Sequence, residues 1–391
     1  ESCDLSEISD PLEQMRARDG YAIVLYTCSE FDRAMEQTKI IYDMAVTTGN
    51  TTYLVRSKTL LADIYSAQFE NEEAWKIYLE LLQLMEDDKY EDAFSLSDKA
   101  DIHSSISGYY QNTDVEQFLH HATLSHQLYE EAYEQSPTIS NRNNLLYSKV
   151  SYAIALRWYT TGAGLRPSDK GFDNIYKSID TLLEVIPTLE SLSKENFKKY
   201  CKGWLTSLST LAENYFFLQE YSACETYFLQ ALQVMEKANE HNIEIYNEIS
   251  YGDLFNNLGY LYYICRDFEK SEQAYLKAIE VLSAYTKSFY SLLSVNSYFR
   301  PLINITVLYN DFAKYEEAIK YGYEALEHTQ TLYDYSSEMF YAEYVLILKT
   351  LALAENSHGN REKALELIEK AIVAEPDNKE LTDIKTTLLG E

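Results

Sequence analysis

Residues 252–278 read GDLFNNLGYLYYICRDFEKSEQAYLKA, and this stretch decides the fold. Its first part sets Phe255, Leu258 and Tyr262 around the small Gly259. Its second part sets Phe268, Ser271, Tyr275 and Ala278 at similar intervals. Two antiparallel helices, A and B, account for the pattern. A small residue lets their backbones approach, and large residues fill the groove beside it.

The plan recurs on both sides. Upstream, Leu208, Leu211, Ala212 and Tyr215 precede Tyr221, Cys224, Phe228 and Ala231. Downstream, Leu302, Ile305, Thr306 and Tyr309 precede Tyr315, Ala318, Gly322 and Ala325. Further on, Leu348, Leu351 and Ala352 precede Ala364, Ile368, Ala371 and Pro376. An early unit has Leu61, Ala62 and Tyr65, then Ala74, Tyr78 and Leu81. The small helix-A position falls at 212, 259, 306 and 352, at steps of 47, 47 and 46 residues. A fixed period of this length marks a repeat array. With 12 Gly and 6 Pro in 391 residues, long regular elements dominate.

These residues resemble the tetratricopeptide-repeat family. Five units match closely. Three match more loosely: one around Phe31, Ala34 and Ile41, one with Ala122 and Tyr129, and one that places Phe172, Ile175, Ile179 and Leu182 on its second helix. The resemblance implies an all-α fold, a right-handed superhelical solenoid of about eight antiparallel helix pairs. It is expected to run as a single solenoid over 1–391, with units near 12–50, 51–90, 98–136, 141–187, 194–240, 247–288, 293–334 and 340–376. A cap helix is expected at 378–389 to solvate the open end. The family's usual unit has about 34 residues. A step near 47 should lengthen each helix by about 1.5 turns. Thr48-Gly49-Asn50, Ser136-Pro137, Ser357-His358-Gly359-Asn360 and Glu375-Pro376-Asp377-Asn378 read as turns. The tract from Gly162 to Gly171 lacks the order of a phosphate-binding loop and reads as an insertion inside the fourth unit.

Composition narrows the partners. The 33 Lys and Arg against 62 Asp and Glu leave a net charge of −29. Such a surface repels nucleic acid and anionic membrane, and the basic clusters, such as Lys198-Lys199 with Lys202, are short. A neutral or basic partner is favoured. Tyr is abundant, 36 of 391 residues, and suits half-wet helix seams and binding grooves alike. Cys3, Cys28, Cys201, Cys224 and Cys265 are odd in number and not spaced as a redox or zinc pair, which points to a reducing, cytoplasmic compartment. An extracytoplasmic sensor domain is the alternative, and Asn50-Thr51-Thr52 and Asn304-Ile305-Thr306 fit the glycosylation pattern. No run of apolar residues is long enough to span a membrane. The first residue is Glu1 and not Met, so an upstream segment is expected.

Chemistry is sparse. His120, His121 and His126 lie close in sequence, but no two share the i, i+4 spacing of helical metal ligands. Glu72-Glu73 and Glu316-Glu317 sit where helix B should begin, and there they favour the helix dipole. No nucleophile elbow or Cys–His pair can be placed. No enzyme activity, metal or cofactor is expected.

In the resembled family the first helix of each pair lines the concave face. Its outward positions are the second, fifth, sixth, ninth and twelfth, with Gly259 and its equivalents counted as eighth. By that implication the face comprises Asp253, Asn256, Asn257, Tyr260 and Tyr263, then Arg300, Ile303, Asn304, Val307 and Asn310. It also comprises Thr206, Ser209, Thr210, Glu213 and Phe216, and Arg56, Thr59, Leu60, Asp63 and Ser66. The candidates for holding a partner are Arg56, Asn256, Asn257, Tyr260, Tyr263, Arg300, Asn304 and Asn310. Asn257 and Asn304 fill the sixth position of successive units, where an amide can both donate to and accept from a peptide backbone. The competing role is that they bridge neighbouring helices. A clamp for a C-terminal carboxylate is not reproduced around Lys349. The expected function is a non-catalytic scaffold for a protein or peptide. The alternative is a peptide-sensing module of a larger regulator, as in the quorum-sensing receptors of Gram-positive bacteria that such an array resembles.

Overall fold

The computed structural model describes residues 5–111, 113–162, 164–243, 251–288 and 292–390. Cys3, Ala163 of the insertion and the first residues of the unit expected from 247 lie outside them. Among the described residues all regular structure is helical. Seventeen α-helices run in order: α1 (Pro11–Thr27), α2 (Phe31–Thr48), α3 (Thr51–Ala67), α4 (Asn71–Met85), α5 (Leu96–Tyr110), α6 (Val115–Gln135), α7 (Ile139–Gly162), α8 (Asn174–Glu195) and α9 (Phe197–Phe217). Then come α10 (Tyr221–Glu240), α11 (Tyr251–Ile264), α12 (Phe268–Ser288), α13 (Leu292–Asp311), α14 (Tyr315–Tyr335), α15 (Ser337–Ser357), α16 (Arg361–Ala374) and α17 (Lys379–Leu389). The insertion falls between α7 and α8. Phe172, expected on the second helix of that pair, is buried in the turn just before α8.

The turns explain the pairing. After six first helices the chain enters the left-handed region at Ser29, Phe69, Gln219, Arg266, Ala313 and Gly359. The next backbone N–H then reaches back five residues, as from Glu70 to Tyr65 at 2.9 Å and from Lys314 to Tyr309 at 2.9 Å. This 6→1 closure satisfies otherwise orphaned carbonyls and turns the chain straight into helix B. Starts of helices are capped by side chains: Asn50 holds the N–H of Tyr53 at 3.0 Å, and Asn378 caps α17.

The helices group into two compact units, Glu1–Thr188 and Leu189–Glu391. In each, successive helices pack on one another, as α5 does on α6 and α11 on α12. First helices of successive pairs also touch, α1 with α3 and α11 with α13 with α15. The seams of unit 1 are filled by clusters such as Val55, Ala62, Tyr78, Leu81, Ile102 and Ile106. Those of unit 2 are filled by Tyr275, Ile305, Leu308 and Ala318, and by Phe299, Leu302 and Leu332. Helices α9, α10 and α12 to α15 are 20 or 21 residues long, well above the usual mean of about 12. The longer helices account for the long repeat step.

Candidate functional site

In unit 2 the outward residues of α11 and α13 come together. Asn304 on α13 donates its side-chain amide to Asn256 on α11 at 2.9 Å. One such bond uses one donor of Asn304 and one lone pair of Asn256. The carbonyl of Asn304 and the NH₂ of Asn256 keep free capacity. Asn257, one residue further on, is half-buried and makes no side-chain hydrogen bond among the described residues. The bridging role therefore belongs to Asn256 and Asn304, and Asn257 remains available.

Aromatic rings flank the amides. Tyr260 is 43% exposed, and its ring lies 5.5 Å from that of Phe216 on α9 and 6.5 Å from that of Tyr263. The Tyr263 hydroxyl donates to Asp311 on α13 at 2.5 Å. Burial, and then the Asp311 carboxylate, push the Tyr263 phenol up to about 12, so it stays a neutral donor. Asn310 is half-buried beside it, and Arg300 is exposed near the start of the described side chains of α13 without an ion pair among the described residues. Seven of the eight candidates thus belong to one unit, and Asn256, Asn304, Tyr260 and Tyr263 are in one contiguous strip. Arg56 lies in unit 1, where both Nε and Nη2 bond Asp19 of α1, at 3.1 and 2.5 Å. Ser209 and Thr210 of α9 are buried, so of that helix Phe216 joins the strip. Asp311 escaped the sequence reading because it falls one residue past the twelfth position.

Unit 1 carries polar groups of another kind. Tyr78 donates to Asp63 at 2.9 Å, and Tyr129 donates to Asp101. Burial holds the Asp63 carboxyl up at about 6, opposed by the Tyr78 bond and reinforced by the Asp101 charge. His103 of α5 and His121 of α6 meet Nδ1 to Nδ1 at 2.9 Å, both buried. One ring donates and the other accepts, so at most one of the two can carry a charge. Burial, with His120 close by, holds each down at about 4. No pair of histidines spaced along one helix gives this contact; it forms across a seam, which sequence spacing does not reveal. Among the described residues no three His, Cys, Asp or Glu side chains are placed to hold a metal ion. Among them, too, no helix is long and apolar enough to cross a membrane.

Comparison with known proteins agrees with this architecture. The family model described as tetratricopeptide repeat matches residues 252–281. No curated protein matches the chain in sequence. Among solved structures, the chain is similar to the apo form of the quorum sensor NprR from B. thuringiensis, with 12% identity over 95% of this chain and 90% of that one and a TM-score of 0.61. It is similar to a signal transduction ATPase with a tetratricopeptide repeat sensor, PH0952 from Pyrococcus horikoshii, with 16% identity over 98% of this chain and 56% of that one and a TM-score of 0.56. Aspartyl phosphate phosphatase F from Bacillus subtilis aligns with 15% identity over 88% of this chain and 74% of that one, with a TM-score of 0.50. At these identities the likeness is one of fold. The fold and the strip define a helical-repeat scaffold whose first helices carry an amide and aromatic face. More particularly, residues 252–281 match a tetratricopeptide repeat, and the fold is that of a tetratricopeptide-like helical solenoid.

Proposed function

We propose that the chain is a non-catalytic peptide-binding scaffold that holds an extended, neutral or basic peptide on the first-helix face of unit 2. The observation that carries the reading is the Asn256–Asn304 pair with the unpartnered Asn257 beside it. Together they offer amide donors and acceptors at the spacing of two helices, which suits a strand-like backbone. Tyr260, Tyr263 and Phe216 add apolar surface with little rotamer entropy to lose. The net charge of −29 favours the stated partner charge. A reducing compartment suits Cys201 and Cys224, which are buried as small apolar residues.

A second reading has its own support: the chain serves as the peptide-sensing module of a larger regulator. Two of the similar structures are a quorum sensor and an ATPase with a tetratricopeptide repeat sensor, and 95% and 98% of this chain align with them.

The test is panning of a random nine-residue peptide library on the purified chain. The enriched peptides are then titrated by fluorescence polarisation against wild type, Asn257→Ala and Asn304→Ala. About tenfold weaker binding is expected for each variant, the effect of about 1.4 kcal/mol of lost amide bonding, at unchanged melting temperature for Asn257→Ala and with a small drop for Asn304→Ala, which also loses its bond to Asn256. Equal affinity for all three chains would remove the amide strip from the reading.

A further inference from the structure

The first-helix face of unit 2 ends in a cleft. Helix α15 and the cap helix α17 border an open groove of about 420 Å³, at the small end of ligand pockets, which span about 300–1,000 Å³. Leu353, Ile384 and Leu388 make its apolar walls, and Asn356, Lys379 and Asp383 stand at its rim. Both helices pack on α16. Lys349 of α15 pairs with Glu380 of α17 at 3.1 Å, and Arg361 of α16 donates to the carbonyl of Leu388 in the last turn of α17. The groove is therefore set by the docking of α15 and α17 on α16.

Its rim offers exposed polar groups that are not spent on the protein. The Asn356 amide, the Lys379 ammonium and the Asp383 carboxylate make no side-chain bonds among the described residues, though Lys379 and Asp383 are one turn apart on α17. One positive and one negative end around an apolar floor give no preference for a charged side chain in the cleft. They do suit the N–H and C=O groups of a peptide backbone on either side of an apolar residue.

Repeat register joins the cleft to the amide strip. Leu353 follows Ala352 as Val307 follows Thr306 and as Tyr260 follows Gly259. Asn356 is the counterpart of Asn310 and Tyr263. Helix α13 packs on both α11 and α15, so the ninth and twelfth positions run as two adjacent lines, one apolar and one polar. Leu353 is 37% exposed at the end of the apolar line.

We infer that this cleft is the anchor subsite of the bound peptide, and that it takes one aliphatic side chain with its flanking backbone. The inference rests on the peptide-binding reading above. The Asn256–Asn304 strip then holds the extended backbone, and the α15–α17 cleft sets which residue must be aliphatic.

The experiment takes the tightest nine-residue peptide from the panned library and replaces each of its apolar residues by Ala in turn. Every copy is titrated against wild type, Leu353→Asn and Ile384→Asn, which sit on opposite walls of the cleft. At one peptide position the Ala replacement is expected to cost about tenfold in wild type, the effect of unburying an aliphatic side chain. In both cleft variants the same replacement is expected to cost less than about twofold, because the pocket is already lost. If every apolar position costs the same in all three chains, the cleft is not the anchor, whatever Asn257→Ala and Asn304→Ala do. If those two Asn variants bind normally while the cleft variants lose the anchor, the cleft stands and the amide strip falls. A library that yields no peptide sensitive to either set overturns both. Two variants on separate helices, each checked for wild-type helix content, separate loss of the subsite from loss of fold.

Discussion

His103 and His121 show how much one seam contact can do at the scale of single residues. Their rings share one hydrogen bond between buried Nδ1 atoms, and that bond needs one of the two to accept. Burial holds each ring down at about 4 in the folded chain against the ordinary 6.5. The unfolded chain thus binds more protons between these values, and stability must fall as pH drops from 6.5 toward 4. Asp63 opposes this in part. Its folded value of about 6 lies above the ordinary 3.8, so its contribution is full below 3.8 and is lost as pH rises through 6. Asp101, held up by burial, opposes the fall as well, and His126, held down by burial, adds to it. Three histidines against two carboxyls leave a net fall. The expected outcome is a urea midpoint that falls between pH 6.5 and 4.5 in wild type and falls less in His121→Gln, which keeps a hydrogen-bonding side chain and cannot charge. A pH profile of His121→Gln that parallels wild type would refute the assignment.

At the scale of helices, the pairing rests on size compensation across the seam. An added Cβ at Gly259 would stand 2.6 Å from the ring of Tyr275, which is 1% exposed. One repeat later the sizes are exchanged: Thr306 fills the first-helix position, and Gly322 faces it, where an added Cβ would stand 2.7 Å from Leu351 Cδ1 and 3.2 Å from Thr306 Cγ2. The fit across the seam, and not any one residue, carries the packing. Gly259→Ala is therefore expected to destabilise unit 2 by about 1–3 kcal/mol through overpacking. Adding Tyr275→Leu should recover part of that loss. Thermal melts of the single and double variants decide it, and additive losses would mean that Tyr275 is not the obstacle. A second inter-helix device recurs at almost the same step. Glu225 on α10 accepts from Tyr262 at 2.9 Å and pairs with Lys270 at 3.3 Å, and Glu272 on α12 pairs with Lys314 at 3.0 Å beside Tyr309. At the next joint Ile319 takes the glutamate's place. There the buried Glu355 stands where the tyrosine would, and it accepts from Tyr323 at 2.9 Å. Tyr262 and Tyr309 were legible as large seam residues. Their acidic partners were not, because glutamates are common in this chain and a spacing of 37 residues carries no local signal.

For the whole molecule, the repeat array was legible because it restates one weak signal many times. Gly259 alone is a helix-breaking residue in a helix; Ala212, Gly259, Thr306 and Ala352 at a constant step are a seam. The turns were less legible, since five of six first-helix closures use Ser, Phe, Gln, Arg or Ala in the left-handed region and only Gly359 uses glycine. Packing after the turn compensates a strain of about 1–2 kcal/mol at each of those five. The grouping into two units left no mark either. Its boundary at Thr188 falls inside α8, one residue after Pro187, with none of the Gly, Ser and Pro enrichment of a linker. The strip was half legible: the register placed Asn256, Asn304, Tyr260 and Tyr263 on one face, but only the fold shows which amide is spent on its neighbour. Charge is the property that the sequence states for the whole chain without ambiguity. With 33 cations for 62 carboxylates, at least 29 acidic groups have no cation to pair with. The ion pairs among the described residues are mostly exposed, such as Lys76–Glu73 and Lys370–Glu366, and contribute little each. Repulsion among the remaining carboxylates opposes every helix contact, and salt screens it over about 8–10 Å at physiological strength. Raising NaCl from 10 to 200 mM should therefore raise the melting temperature, by about 3 °C if screening recovers about 1 kcal/mol. Equal osmolality of sucrose sets the baseline for exclusion effects. A melting temperature that stays flat or falls with salt would mean that paired charges, and not the excess of −29, dominate the surface.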